Sequence, residues 1–261
     1  MSLYFLIPLI SLLAVALLMS LVFLWALKIK NNGIVDVFWA FNFLIIAAII
    51  YYMSDGWQAR KTLVCVLAAA WSLRLGTYLL IRVGSHLKVE EGRYKQLRLE
   101  WTTSKFFVFY QMQAISNVVL ALPFFIIALN KNSVWHWTEI LGATFWLMAI
   151  IGEGIADWQL HYFKKQTQNK GKVCNYGLWN YSRHPNYFFQ LCIWMAVSIL
   201  AITSPYGWIS LICPISIGYL LFKVTGIPMT EEQAIRSKGE AYLQYQKTTS
   251  KFIPWFKKTS S

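Results

Sequence analysis

About seven apolar runs of membrane-spanning length dominate this sequence of 261 residues. A helix that crosses a bilayer needs about 20 mostly apolar residues, and it must satisfy its backbone internally because lipid offers no hydrogen bonds. Charged residues make up 13% of the chain, against about 25% in soluble domains. The sequence therefore predicts an all-α, polytopic membrane bundle. The runs are roughly Tyr4–Leu27, Ile34–Met53, Leu63–Val83, Phe106–Leu129, Ile140–Tyr162, Tyr187–Ile202 and Trp208–Val224.

Lysine and arginine residues collect in alternate connections between these runs. Seven spans would place all of these connections on one side of the membrane, and basic loops face the cytoplasm. We therefore predict an outside N-terminus and a cytoplasmic C-terminal tail, with Arg60 and Lys61 as exceptions on the outer side beside Asp55. The basic connections contain Lys28, Lys30, Lys88, Arg93, Lys95, Arg98, Lys105, Lys164, Lys165, Lys170, Lys172, Arg183, Arg236, Lys238, Lys247, Lys251, Lys257 and Lys258.

The chain is predicted to form a single integral membrane domain over residues 1–261. Helices one to four occupy residues 1–130, and helices five to seven with the tail occupy residues 131–261. The first run is expected to be a retained helix, because it lacks the basic start and small-residue cleavage site of a signal peptide. Tryptophans flank the runs as aromatic belts do; they are Trp57, Trp101, Trp135, Trp137, Trp208 and Trp255.

Two ligand classes are disfavoured by composition. The net charge is +13, but the basic residues lie between apolar runs, so they suit anionic headgroups or an anionic cofactor rather than nucleic acid. The four cysteines form no CxxC motif, and three lie in apolar runs, which favours packing roles over a disulfide or zinc site. They are Cys65, Cys174, Cys192 and Cys213.

Charged residues inside the apolar runs are candidate functional residues, because burying a charge in a bilayer is costly. Asp36 near the start of the second run is either an interfacial acid favoured by the helix dipole or a carboxyl group that faces a cavity and handles a proton. Arg74, Tyr78 and Arg82 repeat every four residues and share one helix face. Arg74 is expected to pair with Asp36 or Glu153, or to contact an anionic ligand that enters the bundle.

The fifth predicted helix carries a second polar stripe. Glu153, Asp157 and His161 recur every four residues, and Lys164 extends the same face. Carboxylates and histidine at helical spacing can hold a metal. The chain has only four histidines and no Glu-x-x-His cluster, so we do not expect a metal here.

The densest polar motif runs from Asn175 to Gln190 and reads Asn-Tyr-Gly-Leu-Trp-Asn-Tyr-Ser-Arg-His-Pro-Asn-Tyr-Phe-Phe-Gln. Its glycine, proline and asparagine residues predict a structured turn that leads into helix six, with Pro185 in the first turn. Asn186 and Gln190 share a helix face. Arg183 and the free N–H groups at the start of the helix are predicted to form a phosphate-binding site.

The tail is predicted to contain an amphipathic helix that lies on the helical bundle and closes a polar pocket inside it from the cytoplasmic side. Thr230 can cap it, Glu231 and Glu232 suit its first turn, and Gly239 can end it.

Together these motifs resemble the signature of the membrane reductases related to steroid 5α-reductase, and more closely their bacterial branch of uncharacterised membrane proteins. The signature residues are Gly177-Leu-Trp179 and Ser182-Arg-His-Pro-Asn-Tyr187. Arg-His-Pro-x-Tyr alone is less specific, because isoprenylcysteine and phospholipid methyltransferases share it. Further matches over nearly the whole chain are Val35-Asp36 with Trp39, Trp71-x-x-Arg74, Glu91-x-Arg93-Tyr94, Gln111 and the tail from Glu231-Glu232 to Pro254.

The resemblance implies a seven-helix bundle with NADPH bound in the C-terminal half and a substrate side in residues 1–130. The implied enzyme is an oxidoreductase acting on CH–CH groups. It would reduce the double bond of a hydrophobic α,β-unsaturated carbonyl lipid, steroid-like or fatty-acyl-like, that enters from the bilayer. The implied catalytic residues are Asp36, Trp71 and Tyr78. The implied cofactor-binding residues are Arg74, Arg82, Glu153, Asp157, His161, Lys164, Tyr176, Trp179, Arg183, His184, Asn186, Gln190, Glu232 and Arg236.

Three positions depart from the family pattern. Asp36 and Trp71 stand where steroid reductases use glutamate and tyrosine, and Gln190 stands where the family often has glutamate. Two alternatives therefore stay open: an S-adenosylmethionine-dependent membrane methyltransferase, and a non-catalytic lipid-binding protein. The expected location is a bacterial cytoplasmic membrane, as a monomer or an oligomer of undetermined size, with membrane lipids as its surroundings.

Overall fold

A computed structural model describes residues 2–85, 87, 90, 92–224 and 226–257, apart from the side chains of Gly92 and Arg93. The predicted basic residues Lys88 and Lys258 and the motif residue Glu91 lie outside these residues. The chain divides into two compact units. The N-unit comprises the chain up to Trp135 together with Ala201–Ser210, and the C-unit comprises His136–Leu200 and the chain from Leu211 onward.

The N-unit consists of six α-helices among the described residues. They are α1 (Leu3–Ile29), α2 (Ile34–Met53), α3 (Gln58–Gly84), α4 (Gly92–Glu100), α5 (Thr103–Leu120) and α6 (Leu122–Ala128). Pro123 lies in the first turn of α6 and cannot donate a backbone hydrogen bond to α5, so the fourth apolar run is divided at Ala121. The predicted bounds of α2 are confirmed.

The C-unit contains the longest helix and the tail. Its α-helices among the described residues are α7 (Trp137–Lys165), α8 (Pro185–Ala201), α9 (Ile212–Tyr219), α10 (Ile227–Lys238) and α11 (Glu240–Thr248). A π-helical turn, Leu220–Val224, continues α9, and a 3₁₀ turn, Gly177–Asn180, precedes α8. Pro185 begins α8 as predicted, because proline needs no N–H partner at a helix start.

Six helical segments in the described parts of the chain are long and apolar enough to cross a membrane. They are Leu3–Ile29, Ile34–Met53, Gln58–Gly84, Thr103–Ala128, Trp137–Lys165 and Gly207–Lys238. The remaining predicted run forms the shorter apolar helix Pro185–Ala201. The all-helical, polytopic membrane fold is therefore confirmed, while the count of seven spans and the orientation of the two termini stay predictions.

An aromatic and amide core joins the helices of the N-unit. The Phe43 ring of α2 meets Trp71 of α3 edge to face, with centroids 5.0 Å apart. Next to it, Asn42 Nδ2 donates to Asn117 Oδ1 at 2.8 Å, and Asn117 Nδ2 donates to the Trp39 carbonyl at 2.9 Å. Amide pairs of this kind satisfy buried polar groups without exposing backbone to lipid. They tie α2 to α5 at one register.

Arg60 and Lys61, the adjacent pair of basic residues on the predicted outer side, are buried rather than solvated. The Arg60 guanidinium donates to the carbonyl oxygens of Asn130, Asn132 and Val134, which form the connection after α6. Its Cζ also lies 5.2 Å from the Trp57 ring centroid. Lys61 Nζ donates to a backbone carbonyl at the end of α2 at 3.1 Å. Arg60 thus holds the connection after α6 and Lys61 holds the end of α2, which accounts for the exception to the basic-side pattern.

In the C-unit, small residues allow α7 and α8 to approach closely. A Cβ on Gly152 would lie 2.4 Å from the Phe189 ring, and one on Gly142 would lie 2.7 Å from Leu200. The prediction that Thr230 caps α10 is wrong, because the helix begins earlier, at Ile227. Thr230 lies inside α10, where its hydroxyl donates to the Gly226 carbonyl at 2.8 Å. Gly239 ends α10 as predicted, with φ of 55°.

Candidate functional site

Asp36 lies in the first turn of α2 and contacts two other elements of the N-unit. The Tyr94 hydroxyl, on α4, donates to Asp36 Oδ1 at 2.8 Å, and Arg82 Nη2, on α3, lies 3.8 Å from Oδ2. Tyr94 is 1% exposed, whereas the Asp36 side chain is 22% exposed. The carboxyl group therefore has a fixed phenol donor on one oxygen, a cation near the other and a partly open side.

The turn that presents Asp36 is held by its own polar residues. Gly33 N–H donates to Asn31 Oδ1 at 2.8 Å, and Asn32 N–H donates to Glu90 Oε1 at 2.8 Å. Arg98 donates two hydrogen bonds to the Glu90 carboxylate, from Nη2 at 2.7 Å and from Nε at 2.8 Å. Burial raises the pKa of Glu90, but the hydrogen bonds from Arg98 and Asn32 outweigh it and leave that pKa below its ordinary value. An ionised Glu90 thus ties the start of α2 to α4, which carries Tyr94.

The other predicted site residues of the N-unit lie along α3, in order toward Arg82, which contacts Asp36. Trp71 is 2% exposed and packs edge to face against Trp39, with centroids 6.0 Å apart, as well as against Phe43. Arg74 and Tyr78 are half-buried, one and two turns nearer to Arg82. Trp71 is therefore part of the packed core, while Arg74 and Tyr78 lie between that core and the Asp36 end.

In the C-unit, Asp157 of α7 and Asn186 of α8 form a direct pair. Asn186 Nδ2 donates to Asp157 Oδ1 at 3.1 Å, and the Tyr187 backbone N–H donates to Asn186 Oδ1 at 3.0 Å. Asp157 is 4% exposed, and Glu153, one turn earlier, is 3% exposed. Gln190 is half-buried one turn beyond Asn186 on α8. The predicted polar faces of α7 and α8 do come together.

The Gly-Leu-Trp part of the long motif docks onto α7. Gly177 adopts a φ of 59°, and a Cβ there would lie 2.3 Å from the Gln159 amide. The Leu178 N–H donates to Gln159 Oε1 at 2.8 Å, and Trp179 Nε1 donates to the Ala156 carbonyl at 2.9 Å. Only glycine permits both the left-handed backbone and the close approach. Trp179 is therefore buried, is bonded to the residue that precedes Asp157 and anchors the turn before α8.

Arg183 and His184 converge on one carboxylate. Arg183 Nε donates to Glu231 Oε1 at 2.7 Å, and His184 Nε2 lies 3.2 Å from the same oxygen. Burial lowers the pKa of His184 below its ordinary value, and the hydrogen bond to Glu231 only partly opposes this. The neutral ring donates its Nε2–H to the carboxylate. It also stacks on Tyr187, with centroids 5.5 Å apart.

The same turn also holds the end of the tail. Arg183 Nη1 donates to the carbonyls of Gln246 and Thr249, both at 2.9 Å, and the Arg183 backbone N–H donates to Ser250 O at 2.8 Å. Ser182 Oγ donates to the Phe252 carbonyl at 2.7 Å. Three of the Arg183 donors are thus directed to the tail and α10, so this arginine acts as the attachment point of the C-terminal segment.

The remaining predicted residues of the C-unit are exposed. His161 and Lys164 lie on the last turns of α7, and Tyr176 precedes the 3₁₀ turn. Arg236 and Glu232 form an i,i+4 pair on α10 at 2.5 Å, with side chains 65% and 63% exposed. These side chains are accessible to a ligand.

Two contact residues were not predicted as site residues. Tyr94 was noted only as part of the family match Glu91-x-Arg93-Tyr94, and the polar pattern of that connection does not indicate a buried phenol. Glu231 was assigned to the first turn of a tail helix, whereas it is bonded to three residues: Arg183, His184 and, at 3.1 Å, Gln246 Nε2. The family match of the tail, which begins at Glu231-Glu232, was the signal in the sequence for this residue.

Comparison with known proteins gives a family but no activity. An uncharacterized protein of Schizosaccharomyces pombe is 26% identical over 282 aligned positions, which cover 92% of this chain and 79% of the relative. No solved structure matches the chain. Residues 22–249 match the family model described as a protein of unknown function, DUF1295. Since that match spans every apolar run after the first and most of the tail, the chain belongs to the DUF1295 family.

Proposed function

We propose that this protein is an NADPH-dependent membrane reductase that transfers a hydride to the double bond of a hydrophobic α,β-unsaturated carbonyl lipid. The proposal rests on the resemblance to steroid 5α-reductase-like enzymes and on one observation in the C-unit, the Asp157–Asn186 pair. We also infer a bacterial cytoplasmic membrane as its location, on the resemblance to the bacterial branch alone.

The hydrogen-bonding capacity of Asn186 suits a nicotinamide carboxamide. An asparagine amide has two N–H donors and an oxygen that accepts two bonds. Asp157 takes one N–H, and the Tyr187 N–H takes one acceptor position. Because a backbone N–H donates only to the amide oxygen, the Tyr187 bond fixes which side of the Asn186 amide carries the nitrogen. One donor and one acceptor remain, the complement of a primary carboxamide, so the residues fit this part of the cofactor.

The cofactor phosphates would be held by basic side chains at the exposed end of α7 and on α10. His161, Lys164 and Arg236 are the candidates, since Arg183 is engaged with Glu231 and the tail. Charge-assisted hydrogen bonds from lysine and arginine are the usual means of holding phosphate. NADPH, when bound, supplies the hydride; these residues bind and orient it.

The N-unit would polarise the lipid carbonyl. Asp36 is partly open and near Arg82, and its other oxygen is held by the Tyr94 hydroxyl. In its protonated form Asp36 donates a hydrogen bond to a carbonyl oxygen, which makes the conjugated double bond more electrophilic. Tyr94 orients the carboxyl group, and it supplies the phenol that is missing at position 71, where tryptophan stands. Tyr78 and Arg74 are expected to line the path of the substrate.

The proposal is tested by the thermal stability of the purified protein in detergent with NADPH, NADH, S-adenosylmethionine or no addition. A cofactor at a hundred times its Kd stabilises the folded state by about 2.7 kcal/mol, which raises the Tm visibly. We expect NADPH to raise the Tm and Asn186→Ala to abolish the rise. Lys164→Gln should weaken it, whereas Lys170→Gln, an exposed lysine outside the proposed site, should leave it unchanged.

The other outcomes discriminate between the alternatives. A rise with S-adenosylmethionine alone would replace the reductase with a methyltransferase. No rise with either cofactor, in a preparation that unfolds cooperatively, would favour a non-catalytic lipid-binding protein. If NADPH binds, oxidation of NADPH in the presence of enone lipids, followed at 340 nm, then identifies the substrate class. Asp36→Asn should reduce that rate without reducing the NADPH-dependent rise in Tm.

A further inference from the structure

The last residues described in the C-unit expose a group of large apolar side chains. Ile253 is 62% exposed, Trp255 is 68% exposed and Phe256 is 74% exposed. We name these three residues the terminal patch. Exposed lysines flank it on both sides, namely Lys251 and Lys257. Contiguous exposed apolar side chains of this size usually mark a surface that contacts a lipid or a protein.

The exposure of the patch does not come from an unattached chain end. Trp255 N–H donates to the Tyr181 carbonyl at 3.0 Å, and Ser182 Oγ donates to the Phe252 carbonyl at 2.7 Å. Ser250 forms a parallel bridge with Ser182. The backbone on either side of Ile253 is therefore fixed by hydrogen bonds to Tyr181 and Ser182. The side chains of the terminal patch are exposed although the segment that carries them is attached to the C-unit.

Contacts of Phe252 place this segment where two apolar segments end. Its ring packs against Phe222, in the π-helical turn that continues α9, at 4.6 Å between centroids. It also packs against Phe188, in the first turn of α8, at 5.7 Å. Five residues reach at most about 17 Å when extended. Residues 253–257 therefore lie within about 17 Å of the place where these two apolar segments end.

We infer that the terminal patch is a membrane-surface anchor that inserts its aromatic side chains among the headgroups of an anionic leaflet. Tryptophan and other large apolar side chains favour the headgroup region, and lysines beside them gain from anionic lipid. Lys247, Lys251 and Lys257 supply the positive charge on α11 and the tail, and all three are exposed. The same anchor holds the segment to which Arg183 is bonded, and thereby the turn before α8.

The test uses full-length protein in vesicles of phosphatidylcholine, with or without phosphatidylglycerol. A nitroxide is attached to Ile253→Cys, and its accessibility to oxygen and to a water-soluble nickel chelate is compared. The four native cysteines are buried, and labelling of the unsubstituted protein gives their background. A label on Lys170→Cys, an exposed site elsewhere in the C-unit, serves as the aqueous control.

We expect the label at 253 to be reached by oxygen and protected from the chelate, with protection increasing with phosphatidylglycerol content. Lys251→Gln and Lys257→Gln should each reduce the embedded-to-aqueous ratio roughly fivefold, and Lys170→Gln should not change it. Equal chelate access at 253 and 170 would overturn the anchor. Protection that does not depend on phosphatidylglycerol or on the two lysines would also overturn it, because the patch would then be covered by something other than an anionic leaflet.

Discussion

Arg183 and Glu231 are joined by a hydrogen-bonded ion pair, with Nε 2.7 Å from Oε1. The side chains are only 9% and 13% exposed, and they connect the turn before α8 to α10. The pair is the centre of the tail attachment, because Glu231 also binds His184 and Gln246 while Arg183 binds two tail carbonyls.

We expect Glu231→Ala to lower the free energy of unfolding by about 3 kcal/mol, because it leaves a buried guanidinium without its carboxylate. Glu232→Ala is the matched control. It removes the neighbouring acid, whose pair with Arg236 is mostly exposed, and should cost less than about 1 kcal/mol. Denaturant unfolding in detergent measures both. Similar losses for the two variants would contradict the assignment of Glu231 as the structural acid.

The stability of the C-unit should decrease at acid pH through His184. Burial keeps the pKa of this imidazole below its ordinary value of about 6.5. The unfolded chain therefore binds a proton that the folded protein does not, and the contribution is fully present above pH 6.5 and lost as the pH falls through the folded pKa. Arg183 and Lys251 add positive charge nearby, and Glu231 opposes them.

The check is the Tm of the unsubstituted protein and of His184→Asn between pH 7.5 and pH 5. The difference in stability between the two proteins isolates this histidine from all other titrating groups. Below pH 6.5, the unsubstituted protein should lose stability relative to His184→Asn by up to about 1.4 kcal/mol per pH unit. A difference that is flat with pH would mean that His184 keeps the same charge in the folded and unfolded states.

Asp36 and Tyr94 should be energetically coupled. A side-chain hydrogen bond contributes about 0.5–1.5 kcal/mol to stability. In a double-mutant cycle of Asp36→Asn and Tyr94→Phe, we expect an interaction energy of about 1 kcal/mol in the free energy of unfolding. Tyr51→Phe, in the last turn of α2 and far from Asp36, is the control and should show additivity with Asp36→Asn. Additivity in both cycles would separate Tyr94 from the proposed site.

The buried Arg60 should stabilise the connection after α6 through geometry rather than charge. Its planar guanidinium reaches three carbonyl oxygens and lies near two indole rings. Lysine keeps the charge but lacks the planar fork, so we expect Arg60→Lys to destabilise the protein by about 2 kcal/mol. Lys131→Gln, which breaks only the exposed pair with Asp55, should cost less than about 1 kcal/mol. Thermal unfolding distinguishes the two.

Two glycines should respond oppositely to alanine. Gly152→Ala places a methyl group against the Phe189 ring and should cost about 1–3 kcal/mol through overpacking between α7 and α8. At Gly84, in the last turn of α3, no heavy atom lies within 4 Å of the added Cβ. Gly84→Ala should therefore be neutral or stabilise by about 0.5 kcal/mol. The free energy of unfolding of both variants tests the helix contact directly.

The sequence alone determined the helical, membrane-spanning character of this protein. Spans follow from apolar length, because a bilayer requires about 20 residues per crossing and permits no unsatisfied backbone. The start of α8 at Pro185 and the end of α10 at Gly239 were also predictable, since proline and glycine act through their own backbone geometry. Helical spacing was enough to place Asp157 and Asn186 on polar faces of neighbouring helices.

Only the tertiary structure decided which polar groups meet. Tyr94 reaches Asp36 across 58 residues, Arg183 reaches Glu231 across 48, and Arg60 reaches Asn130 across 70. Periodicity records the face of a helix on which a side chain lies, but it does not record the partner of that face. Arg60 and Glu231 resemble solvated charges in sequence. Their burial depends on carbonyl and guanidinium partners that are brought close only when distant segments pack.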